Sequence, residues 1–163
     1  MYICKPERSV FQTRLILFTG VIVTLILFYL PLRIPQYAGI IRFCAVGALT
    51  VAILLIVRYS IAEFEYSVGN GDFSVTKIVG NKRTVICSIA LESAIDIVSK
   101  RDYDHLPSKE KGYFKYSLNQ NLVAESFVFL CNFNGRRAMV EFEPNNEFVA
   151  IMKDEIAKAK KDA

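Results

Sequence analysis

The rhythm of hydrophobic and polar positions changes twice along this chain and divides it into three parts. Residues 15–32 (LILFTGVIVTLILFYLPL) carry no charged side chain. At about 1.5 Å per helical residue such a run spans roughly 27 Å, close to the hydrocarbon thickness of a bilayer. A second apolar run covers residues 38–57, with Arg42 in its first turn. A long cationic side chain there reaches the interface at modest cost. The pattern predicts two membrane-spanning helices, at 15–32 and 38–57, joined by a turn that Pro31 and Pro35 impose by breaking the helix. With Arg58 they form a transmembrane hairpin at 15–58, preceded by a short flank at 1–14. Residues 31–35 (PLRIP) offer no small-x-small cleavage site, so the first run reads as a retained anchor.

From residue 62 the period falls to two. Residues 62–68 (AEFEYSV) place Phe64, Tyr66 and Val68 on one face, and Glu63, Glu65 and Ser67 on the other, solvated face. Asn70-Gly71 follows, a hairpin signal because both residues tolerate positive φ. Residues 72–79 return as a second strand, Gly80-Asn81 turns again, and 83–89 form a third with Val85, Cys87 and Ile89 on one face. Residues 91–100 fit a helical turn or a strand, and Ile95, Ile97 and Val98 favour the strand. Residues 101–111 (RDYDHLPSKEK) are polar and aperiodic and read as an exposed loop. A short strand is expected over 113–118. Residues 125–133 (ESFVFLCNF) are apolar on both faces, as in a central strand, with Phe127, Phe129, Cys131 and Phe133 on one face that reads as core, a ligand pocket being the alternative. Asn134-Gly135 turns the chain into a partner strand over 137–143.

The period then lengthens to about four. Phe148, Met152, Ile156 and Ala159 make one apolar stripe, behind an Asn145-Asn146 cap signal, so residues 145–161 read as an amphipathic helix packed on the sheet. Lys158, Lys160 and Lys161 suit its C-terminal dipole. The parts sum to an α+β chain: a two-helix transmembrane hairpin, then a seven-stranded antiparallel β sandwich or barrel at 62–163 with a C-terminal capping helix.

Charge sharpens this division. Residues 1–57 carry five basic side chains and one acidic one, and residues 58–163 carry fifteen of each. The whole net charge of +4 therefore belongs to the hairpin and its flank. A neutral β domain argues against a nucleic-acid partner, for which a basic stripe is expected. Lys5, Arg8, Arg14 and Arg58 flank the outer ends of the hairpin, against Arg33 and Arg42 at its turn. That balance favours both termini in the cytoplasm and an integral, two-pass protein of the cell membrane. Small residues recur every four positions on the helices: Gly20 and Thr24 on the first, Cys44, Ala48 and Ala52 on the second. In an antiparallel pair Gly20 falls at the depth of Ala52 and Thr24 at that of Ala48, and these faces are expected to meet.

Candidate chemistry adds little. Gly69-x-Gly71 lacks the third glycine of a dinucleotide fingerprint, and no phosphate-binding loop follows a strand. Cys4, Cys44, Cys87 and Cys131 have no metal-ligand spacing, and scattered free thiols fit small apolar residues in a reducing compartment. The one histidine, His105, has no obvious carboxylate or thiol partner and reads as an exposed loop residue. Neither catalytic residues nor a cofactor or metal site are expected. The polar loop is the candidate for partner contact, through Arg101, Tyr103 and His105, because long connections are disproportionately functional. Basic doublets at strand ends offer a second reading, with Arg58, Lys82 and Arg83 against anionic headgroups.

The paired helices ending at Arg58, the strand from Phe64 to Val68 with its Asn70-Gly71 turn, the Lys82-Arg83 strand start and the Phe142-Glu143-Pro144 step into the last helix carry a resemblance. The chain resembles small bacterial membrane proteins in which two transmembrane helices precede a bacterial PH-like domain. The resemblance implies two sheets capped by the C-terminal helix. It also implies a binding or scaffolding module, with a protein partner or a second copy, and no catalysis. The alternative is a lipid- or envelope-sensing module whose basic doublets touch headgroups. Phosphoinositide-binding relatives of the fold use a basic first hairpin, and here that turn is Gly69-Asn70-Gly71-Asp72.

Overall fold

Ser9 opens the first helix, α1 (Val10–Arg33), by accepting a hydrogen bond from the Gln12 amide at 3.4 Å. The computed structural model describes residues 1–107 and 114–162. Two compact units emerge, Arg8–Ala62 and Met1–Glu7 with Glu63–Ala163.

The first unit is the helical hairpin. α1 runs to Arg33, is followed by a 3-10 turn (Pro35–Tyr37), and α2 (Ala38–Ile56) returns. The helical runs Val10–Arg33 and Pro35–Ile61 are both long and apolar enough to cross a membrane, with mean hydropathies of 2.5 and 2.6 and little of either buried within the protein. Pro31 does not end α1, contrary to the expectation. It sits inside the last turn, and the helix closes only when the Ile34 amide donates to Leu30 O at 3.0 Å. Proline there removes one N–H without unwinding the turn, while Pro35 starts the 3-10 segment at a position that needs no donor. At its far end α2 widens into a π turn, Val57–Ile61. The Arg8 guanidinium closes this end by donating to the Ser60 and Ala62 carbonyls. Carbonyls at a helix end lack intrahelical donors, so an arginine satisfies them and complements the dipole.

The second unit begins earlier than the pattern suggested. Residues 2–4 are not flank but a strand, β1 (Tyr2–Cys4), antiparallel to β2 (Glu63–Gly69), with Cys4 opposite Tyr66. Three residues are too few to show a period of two, so only the pairing reveals the strand. β3 (Asp72–Val79) and β4 (Lys82–Ala90) complete a meander in the order β1-β2-β3-β4. The turn between β2 and β3 uses Asn70 and Gly71 at φ 55° and 83°, as the sequence signal requires. A 3-10 turn leads into β5 (Ala94–Ser99), then a short helix α3 (Lys100–His105). β6 (Phe114–Ser117), β7 (Phe127–Phe133) and β8 (Arg136–Phe142) follow, and the second sheet has the order β5-β7-β8-β6. The described residues thus hold eight strands where seven were expected. The β6–β8 pair is parallel, so the second sheet is mixed.

The two sheets and α4 (Asn146–Asp162) enclose one aromatic core. Phe73 meets Phe129 and Phe142 at centroid distances of 5.2 and 5.0 Å, and Tyr66 meets Phe142 edge-on at 5.2 Å. Phe148 on α4 joins them, and Met152 and Ile156 extend the expected stripe along the helix. Asn145 caps α4, its side-chain oxygen accepting from the Phe148 amide at 2.8 Å.

Candidate functional site

The segment proposed for partner contact is mostly helix, not loop. Ser99 caps α3: its hydroxyl accepts from the Asp102 amide at 3.1 Å and donates to the Asp102 carboxylate at 2.7 Å. Tyr103 then turns inward to Val128, Leu130 and Met139 and is buried, with Lys100 over its ring at 5.3 Å. Tyr103 is therefore a core residue and no surface contact. Arg101 and His105 remain exposed on the same helix, and residues 108–111 of the predicted loop lie outside the described residues. A capped six-residue helix is too short to show a period, which is why a polar stretch concealed a core tyrosine.

The headgroup candidates are not equivalent. Arg83 donates to Glu65 Oε2 at 3.1 Å, and Lys5 Nζ lies 3.0 Å from the same oxygen. Glu65, expected in solvent, is buried, because β1 makes β2 an interior strand and Lys5 and Arg83 both bring their cationic ends to its carboxylate. Arg58 belongs to the helical unit, with its guanidinium 5.3 Å from the Tyr59 ring centroid. Lys82 is exposed at the start of β4.

Between the helices, a Cβ on Gly20 would lie 3.2 Å from Ala52 Cβ. Thr24 donates its hydroxyl to Gly20 O at 2.7 Å, which hides that polar group. Gly20, Thr24, Ala48 and Ala52 are half-buried, and Ala45 is fully buried. Cys44 is exposed and does not belong to the packed face. One residue is a 100° rotation, and Ala45 sits where Cys44 was expected.

Two further features stand out in the β unit. One is an apolar cleft of about 350 Å³ between the sheets, bounded by Ile86, Cys87 and Ile89 of β4, by Tyr116 and Leu118, and by Cys131 and Phe133. β4 and β6 end their sheets, and among the described residues no strand pairs with their outer edges. Phe133, expected in the core, is exposed on the cleft rim, because it is the last residue of β7. Cys87 and Cys131 both face the cleft. Burial, together with the nearby Cys87, pushes the Cys131 thiol up to about 11, and burial raises Cys87. Both thiols stay protonated near neutrality, and a protonated thiol is a poor nucleophile or ligand.

The other feature is a polar seat under residues 118–126. Asn121 donates its amide and side chain to the two oxygens of Glu143 at 2.8 and 2.9 Å. Asn119 and Ser126 each donate to Glu141 Oε1 at 3.1 Å. Tyr66 donates its hydroxyl to Leu118 O at 2.8 Å. Glu141 and Glu143 are buried, and such carboxylates persist only when hydrogen-bonded. The polar run 119–121 (NQN) between two strands was the available signal.

Among the described residues no group of three or more His, Cys, Asp or Glu side chains could hold a metal ion. No curated protein and no solved structure matches the chain significantly. A family model described as bacterial PH-like domain (DUF6106) matches residues 5–161, and the chain belongs to that family.

Proposed function

We propose that this is a two-pass membrane protein that presents a PH-like module in the cytoplasm, and that the module binds an extended protein segment without catalysing a reaction. The observation that carries the reading is the cleft between β4 and β6. An extended polypeptide adds to an exposed sheet edge through main-chain hydrogen bonds and seats alternate side chains in an adjoining pocket. Here both strand edges are open among the described residues, and the space between them is apolar. Ile86, Tyr116 and Phe133 are exposed around it, an arrangement suited to anchoring aromatic or aliphatic side chains. The carboxylate partner of Arg83 favours this reading over headgroup binding, since part of the basic charge at β4 is already neutralised within the sheet.

The test is photo-crosslinking of the full chain in native membranes, with a benzophenone amino acid at Ile86, at Phe133 or at Lys153 on the exposed side of α4. Adducts with a protein, a second copy included, at the two cleft positions and not at Lys153 support the reading. No adduct at the cleft, or equal yields at Lys153, overturns it. A C-terminal reporter active only outside the cytoplasm reverses the assigned side.

A further inference from the structure

The polar seat holds up an apolar tip. Residues 122–124 read Leu-Val-Ala, and the side chains of Leu122 and Val123 are 57% and 75% exposed. Adjacent exposed aliphatic residues on a loop cost solubility and gain nothing by themselves, so a partner surface is the economical explanation. The loop is also held firmly. Asn121 grips both oxygens of Glu143, and Ser126 is fixed to Glu141.

Its place in the β unit indicates the partner. The chain leaves this unit at Glu7 and returns to it at Glu63. The loop is hydrogen-bonded beside both points. Asn121 donates to Glu7 O at 2.9 Å, and the Phe64 amide donates to the side-chain oxygen of the buried Gln120 at 3.0 Å. Two residues separate Glu7 from the start of α1, a reach of about 10 Å at most. Ala62 alone separates the end of the π turn from β2. The loop is therefore hydrogen-bonded to the two chain segments that lead, within three residues, into the helices of a hairpin apolar enough to span a bilayer.

We infer that Leu122, Val123 and Ala124 form a membrane-inserting tip, whose partner is the lipid surface that surrounds the hairpin. The tip enters the boundary between headgroups and acyl chains and holds this end of the β unit against the bilayer. The cleft rim at Phe133 lies at the opposite end of β7, about 20 Å along the strand, and stays in water. The inference needs the hairpin to span the membrane but not a protein partner in the cleft.

The chain contains no tryptophan, so one introduced tryptophan reports its own surroundings. The full chain is reconstituted into phosphatidylcholine–phosphatidylglycerol vesicles, with or without lipids brominated near the glycerol end of their acyl chains. Four single variants are compared: Val123→Trp, Leu122→Trp, Phe133→Trp and Ile22→Trp. Val123→Trp and Leu122→Trp should emit further to the blue than Phe133→Trp. They should be quenched about twofold or more by the shallow bromines, as expected for a side chain ~5–10 Å into the interface. Phe133→Trp should be unaffected, and Ile22→Trp, at mid-span of α1, should be quenched by lipids brominated near the ends of their acyl chains, run in parallel. Unquenched tip variants alongside a quenched Ile22→Trp overturn the tip and leave the hairpin standing. Equal quenching at Phe133 and Val123 also overturns it, because the whole module would then lie on lipid. An unquenched Ile22→Trp removes both the tip and the membrane reading.

Discussion

Gly20 faces Ala52 so closely that a Cβ on the glycine would lie 3.2 Å from the alanine Cβ. In lipid no hydrophobic force drives helices together, so association depends on such close backbone approach. Gly20→Leu should push the pair apart, at a cost of about 1–3 kcal/mol for an overpacked contact. Disulfide cross-linking between cysteines placed at Thr24 and Ala48, with Cys44 replaced by alanine, reads the separation. The yield should fall sharply in Gly20→Leu; an unchanged yield would show that the glycine is not at a packed contact.

Gly69 is the corresponding test for β1. Its φ is 146°, and an added Cβ would stand 2.7 Å from the Met1 Cα, a backbone atom that cannot rotate away. Gly69→Ala should therefore displace β1 from β2 while leaving β3 and β4 paired. Hydrogen exchange of the Tyr2–Cys4 amides should accelerate in that variant, and the Asp72–Val79 amides should stay protected. Equal protection of β1 in both proteins would mean that the edge strand tolerates the side chain.

Glu65 holds two cations whose own side chains are more than half exposed, Lys5 at 55% and Arg83 at 61%. Solvent screens such pairs, so Glu65→Gln should cost only about 1 kcal/mol. The difference between wild type and variant, measured by denaturant unfolding in detergent, should shrink as salt rises to about 1 M, where the Debye length is about 3 Å. A difference indifferent to salt would point to lost packing in place of lost charge.

Cys131 sets an alkaline limit. Its thiol titrates at about 11 in the folded protein, against an ordinary value of 9.0. The unfolded thiol loses its proton first, so its contribution to stability is complete below pH 9.0 and declines as pH rises toward 11. Cys131→Ala should be less stable at pH 8, because it leaves a small cavity, but should lose less stability between pH 9 and about 11. Parallel stability curves across that window would show that Cys131 is not the titrating group.

Sequence patterns sustained over many residues were legible. Eighteen uncharged positions announce a helix long enough to span a bilayer, and α1 extends that run back through Arg14 to Val10. The alternation at Phe64, Tyr66 and Val68, the Asn70-Gly71 turn and the stripe from Phe148 to Ile156 all reappear as β2, its turn and α4. The candidate sites were less legible because they depend on neighbours distant in sequence. Tyr103 is buried because β7 and β8 pass beneath α3, and nothing in residues 101–111 encodes that.

By itself, then, the sequence determined the local elements: the two apolar helices, most of the strands with their turns, the capped final helix, and the division of charge between hairpin and β domain. Each follows from short-range periodicity or a residue's own backbone preference. Tertiary structure alone decided that residues 2–4 are a strand, that Glu65 is buried and that Cys44 turns outward. It also decided that the sheets part between β4 and β6, leaving an apolar cleft. Strand pairing and burial are properties of two segments together, and neither segment's pattern holds the register that joins them.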